Sequence, residues 1–84
     1  MKYTVVWKPA AERDLAQLWL EAENRHAVTA AARRIDRVLQ TNPAEQGESR
    51  SGAMRVMFVD PLGVFFHVNE PDRVVSVVKV WMAT

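Results

Sequence analysis

The feature that most constrains the fold is the way residues 53–82 divide apolar runs from turn-forming residues. Two apolar runs, Ala53–Asp60 and Val64–Asn69, are joined across Pro61-Leu62-Gly63, and a third, Val74–Trp81, follows Glu70-Pro71-Asp72-Arg73. Val, Phe, Met and Trp dominate the runs, and Pro, Gly, Asn and Asp sit at the joints. β-Branched and aromatic side chains suit a pleated, half-buried surface, and the joint residues suit reversals. The pattern predicts a three-stranded antiparallel meander.

What precedes the meander has a different period. Lys2–Trp7 alternates, with Tyr3, Val5 and Trp7 on one side, which is a strand signal. Pro9 suits the first turn of a helix, and Glu12 and Asp14 suit its positive end. Ala11, Leu15, Leu18, Trp19 and Ala22 then recur as one apolar stripe, which puts Trp19 in the core. After a short connection at Asn24-Arg25-His26, a second helix is predicted over Ala27–Gln40, burying Val28, Ala31, Ala32, Ile35, Val38 and Leu39. Asn42-Pro43 ends it, and the polar segment Ala44–Gly52 reads as an exposed loop.

The predicted order is therefore β-α-α-β-β-β. A helical hairpin crosses one face of the sheet before the chain returns, so that the first strand joins the meander. The expected fold is an α+β two-layer sandwich on a mostly antiparallel four-stranded sheet.

Eighty-four residues allow a single domain spanning 1–84, and 49% hydrophobic with 25% charged residues is the balance of a globular chain. The absence of cysteine excludes disulfides and thiolate chemistry. With 11 basic and 10 acidic residues, the net charge of +1 does not by itself announce a nucleic-acid partner. The opening Met1-Lys2-Tyr3-Thr4 has no apolar leader and no run reaches membrane-spanning length, so a cytoplasmic protein without a membrane partner is expected. No phosphate-cradling loop or metal motif is present, and His26 with His67 does not make a metal site; no cofactor is expected.

Strict alternation assigns the sheet faces. Met54, Val56, Phe58, Val64, Phe66, Val68, Val74, Ser76, Val78 and Val80 would meet the helices. Arg55, Met57, Val59, Phe65, His67, Asn69, Val75, Val77, Lys79 and Trp81 would lie opposite. The assignment holds for strands without a bulge, since one slipped residue inverts a strand. A second face mixing cations with large apolar groups is expected to meet a partner, with a homodimer or the chain's own end as the competing cover.

The chain as a whole resembles the RelE/ParE toxin superfamily of bacterial type II toxin–antitoxin systems. The resemblance is carried by the order and spacing of Pro9-Ala10-Ala11-Glu12-Arg13-Asp14-Leu15, Asn42-Pro43, Gly47-Glu48-Ser49-Arg50, Met54-Arg55-Val56, Pro61-Leu62-Gly63-Val64-Phe65-Phe66 and Asp72-Arg73-Val74-Val75. It implies a growth-inhibiting toxin, of the kind linked to plasmid stabilization, that pairs with a cognate antitoxin as a hetero-oligomer. Some members cleave mRNA on the ribosome and others inhibit DNA gyrase. Ribonuclease members carry basic residues on the sheet and after the last strand. Arg55 matches one such position, but Gly63 stands where those members often have Arg, and Met82-Ala83-Thr84 follows the last strand here.

RNA cleavage needs groups that activate a hydroxyl, stabilise a charged phosphorane and protonate a leaving oxygen. Arg55, His67 and Lys79 are the candidates for that work, each with a structural role as the alternative. Trp81, Phe65, Arg33 and Arg37 are the candidates for partner contact, although Asp36 stands among the arginines. Three readings stay open. The toxin inhibits by binding a target such as DNA gyrase, cleaves mRNA on the ribosome, or keeps only the antitoxin-binding fold.

Overall fold

A computed structural model describes residues 2–83; Met1 and Thr84, named in the sequence reading, lie outside them. The elements run β1 (Thr4–Trp7), α1 (Pro9–Glu21), α2 (Arg25–Thr41), a 3₁₀ turn (Pro43–Glu45), β2 (Glu48–Ser51), β3 (Met54–Val59), β4 (Leu62–Asn69) and β5 (Val74–Met82). They form one sheet in the order β1-β5-β4-β3-β2, with β1 parallel to β5 and every other pairing antiparallel. This is the expected two-layer α+β sandwich, widened from four strands to five. The added strand, Glu48–Ser51, falls in the segment read as a loop. It lies at the sheet's edge, where Glu48, Ser49 and Arg50 are exposed, so no apolar alternation marks it.

Pro9 opens α1 as expected, while α2 begins earlier than its apolar stripe because Asn24 caps it, Oδ1 accepting from the Ala27 N–H at 3.0 Å. The helices cover one face of the sheet. Ala11 from α1 and Val28, Ala31, Ile35 and Leu39 from α2 close on Met57, Leu62, Val64, Phe66, Val68, Val75, Val77 and Val80. Burying each larger side chain contributes about 1.5–3 kcal/mol. Tyr3, Val5 and Trp7 of the β1 region flank this core. The Tyr3 N–H donates to Gln40 O at 2.7 Å, tying the chain's start to the end of α2.

Two register facts revise the face assignment. The β3–β4 turn is Asp60-Pro61, through a cis peptide bond, and not Pro61-Leu62-Gly63. Val59 therefore pairs with Leu62 and Phe58 with Gly63. A two-residue loop pairs even with odd positions where a three-residue loop would pair even with even. As a result Met57 and Val59 face the helices, while Met54, Val56 and Phe58 lie on the other side. The second fact is a bulge at Val78. Phe65 pairs with Lys79, but Phe66 pairs with Val77. Beyond it the parity of β5 inverts, so Val75 and Val77 are core and Val74 and Ser76 are not.

Candidate functional site

The face of the sheet away from the helices gathers three aromatic side chains. The register places Phe58 and Trp81 on either side of Gly63, and Phe65 two residues along β4. Because Gly63 has no side chain, the Trp81 indole lies across the β4 backbone: a Cβ on Gly63 would stand 2.6 Å from its Cε2. The Phe58 ring meets Trp81 edge-on, at 6.1 Å between centroids and 86° between planes, and Phe65 lies tilted at 5.3 Å. Both geometries suit the aromatic quadrupole. Phe58 remains 61% exposed, an unusual position for a large apolar ring.

Lys79 and His67 border this platform. Lys79 pairs with Phe65, and His67 lies two residues beyond Phe65 on the same face, opposite Met54 and Ser76. Neither side chain enters a hydrogen bond or ion pair among the described residues. Arg55 is elsewhere. It pairs with Phe66, on the helix side, where its Nε donates to Gln46 O at 2.8 Å and its Nη2 to Gly47 O at 3.1 Å. The guanidinium pins the segment leading into β2. Thus the fold brings His67, Lys79, Phe65 and Trp81 to one face and holds Arg55 on the other.

Phe58 belongs to the platform, although strict alternation put it on the helix side, and Gly63, noted in the sequence only for standing where an Arg is often found, is the residue the indole crosses. The signal was available in the turn: an Asp-Pro pair as a two-residue loop sets Phe58 opposite Gly63. Among the described residues no group of His, Cys, Asp and Glu is arranged to hold a metal ion, and no helix is long and apolar enough to cross a membrane.

The helical layer carries a second feature, an open groove of about 670 Å³ between α1 and α2. Trp7, Leu15, Trp19, Leu20, Val28 and Ala32 supply its apolar lining, and Glu12, Arg33 and Asp36 stand among them. Trp19, expected in the core, is 39% exposed on this groove. Its indole is held by a 3.1 Å bond to Thr29 Oγ1 and by Arg25, whose guanidinium lies 4.8 Å from the ring centroid. Arg25 also donates to the Trp19 and Leu20 carbonyls, closing the C-terminal end of α1. Trp7 Nε1 donates to Asp36 Oδ1 at 2.7 Å. Arg33 and Arg37 are on α2, so the expected partner-contact residues divide between the platform and the helical layer.

The fold has counterparts among known proteins. Residues 5–83 match the family model of the ParE toxin of type II toxin–antitoxin systems. The fold is similar to a chain of the RelBE2 toxin–antitoxin complex of Mycobacterium tuberculosis, at TM-score 0.82 and 17% identity, covering 100% of this chain and 95% of that one. A mutant of the E. coli toxin RelE in the free state aligns at TM-score 0.74 and 16% identity over 99% and 85% of the two chains. A chain of the chromosomal ParDE toxin–antitoxin system of P. aeruginosa aligns at TM-score 0.67 and 14% identity over 99% and 98%. No curated protein matches the sequence.

Proposed function

We propose that this chain, which belongs to the ParE toxin family of type II toxin–antitoxin systems, arrests growth by binding a macromolecular target through its aromatic platform. The observation that carries this reading is the Trp81 indole lying over Gly63 between Phe58 and Phe65. Clustered aromatic rings, here the exposed Phe58 against the half-buried Phe65 and Trp81, are what binding hot spots are made of. The position where ribonuclease relatives often carry Arg is filled by the indole, and Arg55 is committed to backbone carbonyls on the other side. Binding, with DNA gyrase as the first target to assay, therefore suits the face better than phosphoryl chemistry.

The groove between α1 and α2 suits the antitoxin. An apolar trough open along one side accepts the apolar stripe of an amphipathic helix. Glu12 and Asp36 add acidic groups for basic residues on that helix.

Two variants separate the surfaces. Phe58→Ala with Trp81→Ala should abolish growth arrest on induced expression while retaining antitoxin binding. Leu20→Glu should weaken antitoxin binding and leave arrest intact. Supercoiling by purified gyrase should fall with the wild-type chain and recover with the platform variant. New transcript ends mapped at codon positions during arrest, lost in His67→Ala, would establish mRNA cleavage and overturn the binding reading.

A further inference from the structure

We propose that the outer ridge of α2 binds the phosphate backbone of double-stranded nucleic acid, apart from the platform and along the rim of the groove that Arg33 also lines. The net charge of +1 conceals a separation of charge between the helices. Glu12, Asp14, Glu21 and Glu23 sit on or just after α1 against Arg13, whereas α2 carries Arg25, Arg33, Arg34 and Arg37 against Asp36. Arg25 is engaged at the end of α1, and Asp36 is turned to the flank, where Trp7 Nε1 donates to it. That leaves Arg33, Arg34 and Arg37 exposed, with no ion pair among the described residues.

Their spacing makes one surface. At about 100° per residue, Arg37 falls between Arg33 and Arg34 when viewed down the helix, and His26 and Ala30 continue the stripe towards the N-terminus. Neighbours on such a stripe are about 5–6 Å apart, a spacing on the scale of successive phosphates along a duplex strand. Arg34 also lines a shallow depression with Arg50 of β2, which extends the positive surface; the Glu48 carboxylate is 3.9 Å from Arg50, and both side chains are exposed.

The chemistry of the ridge selects the partner class. Guanidinium groups bind phosphate oxygens bidentately. A peptide anchors by burying apolar side chains in a pocket. Along this stripe the helix offers Ala30 and no pocket, because the two depressions lie on either flank. Backbone recognition of a duplex needs only convergent positive charge. A toxin that engages a protein through its sheet face would thereby touch nucleic acid through its helical face, as fits a nucleoprotein target.

The test is fluorescence anisotropy with a short labelled DNA duplex and, separately, an RNA duplex, across a salt series. The wild-type chain should bind with a slope of log K against log salt of about −3, the value for three to four neutralised phosphates. Arg33→Gln/Arg34→Gln/Arg37→Gln should lose at least tenfold in affinity at low salt and flatten the slope, and Arg50→Gln should lose less. Circular dichroism verifies that these exposed substitutions leave the fold intact. Trp81→Ala should bind the duplex as the wild type does, which separates failure of this proposal from failure of the platform reading. Equal binding to both duplexes, or preference for one, supports backbone recognition and names the nucleic acid. No binding of the wild-type chain at low salt, an unchanged triple variant, or tighter binding of a polyglutamate peptide than of either duplex overturns it.

Discussion

Trp81 and Gly63 occupy the same place on the sheet: with the indole where it lies, a Cβ on Gly63 would be 2.6 Å from Cε2 and 2.9 Å from Nε1. A side chain on residue 63 and the indole where it lies compete for one volume, so glycine at that position is what lets the aromatic ring cross β4. Because Phe58 and Phe65 hold the ring, it has little freedom to retreat.

The pair should therefore be energetically coupled. Gly63→Ala is expected to destabilise the protein by about 1–3 kcal/mol through overpacking. In Gly63→Ala/Trp81→Ala the added methyl meets no indole, so the double variant should be more stable than the sum of the singles predicts. Urea denaturation of the four proteins gives the coupling energy, expected at about 0.5–3 kcal/mol. Strict additivity would show that the indole does not rest on Gly63.

Gly47 is constrained differently. Its φ is +64°, in the left-handed region, and a Cβ there would stand 2.0 Å from the Val56 carbonyl oxygen. Both backbone conformation and space exclude a side chain where the chain enters β2. Gly47→Ala should cost at least about 1–3 kcal/mol of stability, with hydrogen exchange in β2 accelerating more than in β4. Uniform loss of protection across the sheet would show that β2 is not held at this point.

What the sequence conveyed follows from what burial demands of it. β1, both helices and the meander carry apolar periodicity because each buries one face, and they were legible to within a few residues. β2 buries no such face; the exposed run Glu48-Ser49-Arg50 becomes strand by pairing with β3. The bulge at Val78 sits in Val77-Val78, where either residue fits the core equally well, so nothing marks which one is extra. For the platform, Phe65, His67, Lys79 and Trp81 were placed on the correct face because β4 is regular and they lie there or beyond the bulge. Phe58 was misplaced by the length of a single turn, and Trp19 by a groove that an apolar stripe alone does not distinguish from core.

Arg55 separates a structural from a chemical role. Its two hydrogen bonds run to Gln46 O and Gly47 O, neither of which lies on the platform face. Arg55→Met should destabilise by about 1–3 kcal/mol, the cost of removing charged hydrogen bonds, while growth arrest at permissive temperature persists. Arrest lost at unchanged urea midpoint would instead mark Arg55 as part of the toxic site.

Tyr3 supplies a pH signature at the opposite end of the core. Its hydroxyl donates to Glu70 Oε1 at 2.6 Å, and this bond, with desolvation and the Glu70 charge, raises its pKa above the ordinary 10.0 against the opposing pull of Arg73. The bond exists only while the phenol is protonated. Its contribution to stability is thus full below pH 10, where the unfolded phenol titrates, and is lost as pH rises through the higher value of the folded state. Tyr3 is the sole tyrosine in the chain, so absorbance near the phenolate band follows it alone. The folded protein should ionise at higher pH than the urea-unfolded chain. Glu70→Gln should bring the two titrations closer, and Tyr3→Phe should lose less stability than the wild type on the alkaline side. Coincident titrations of folded and unfolded chains would mean that the Tyr3–Glu70 bond does not persist in solution.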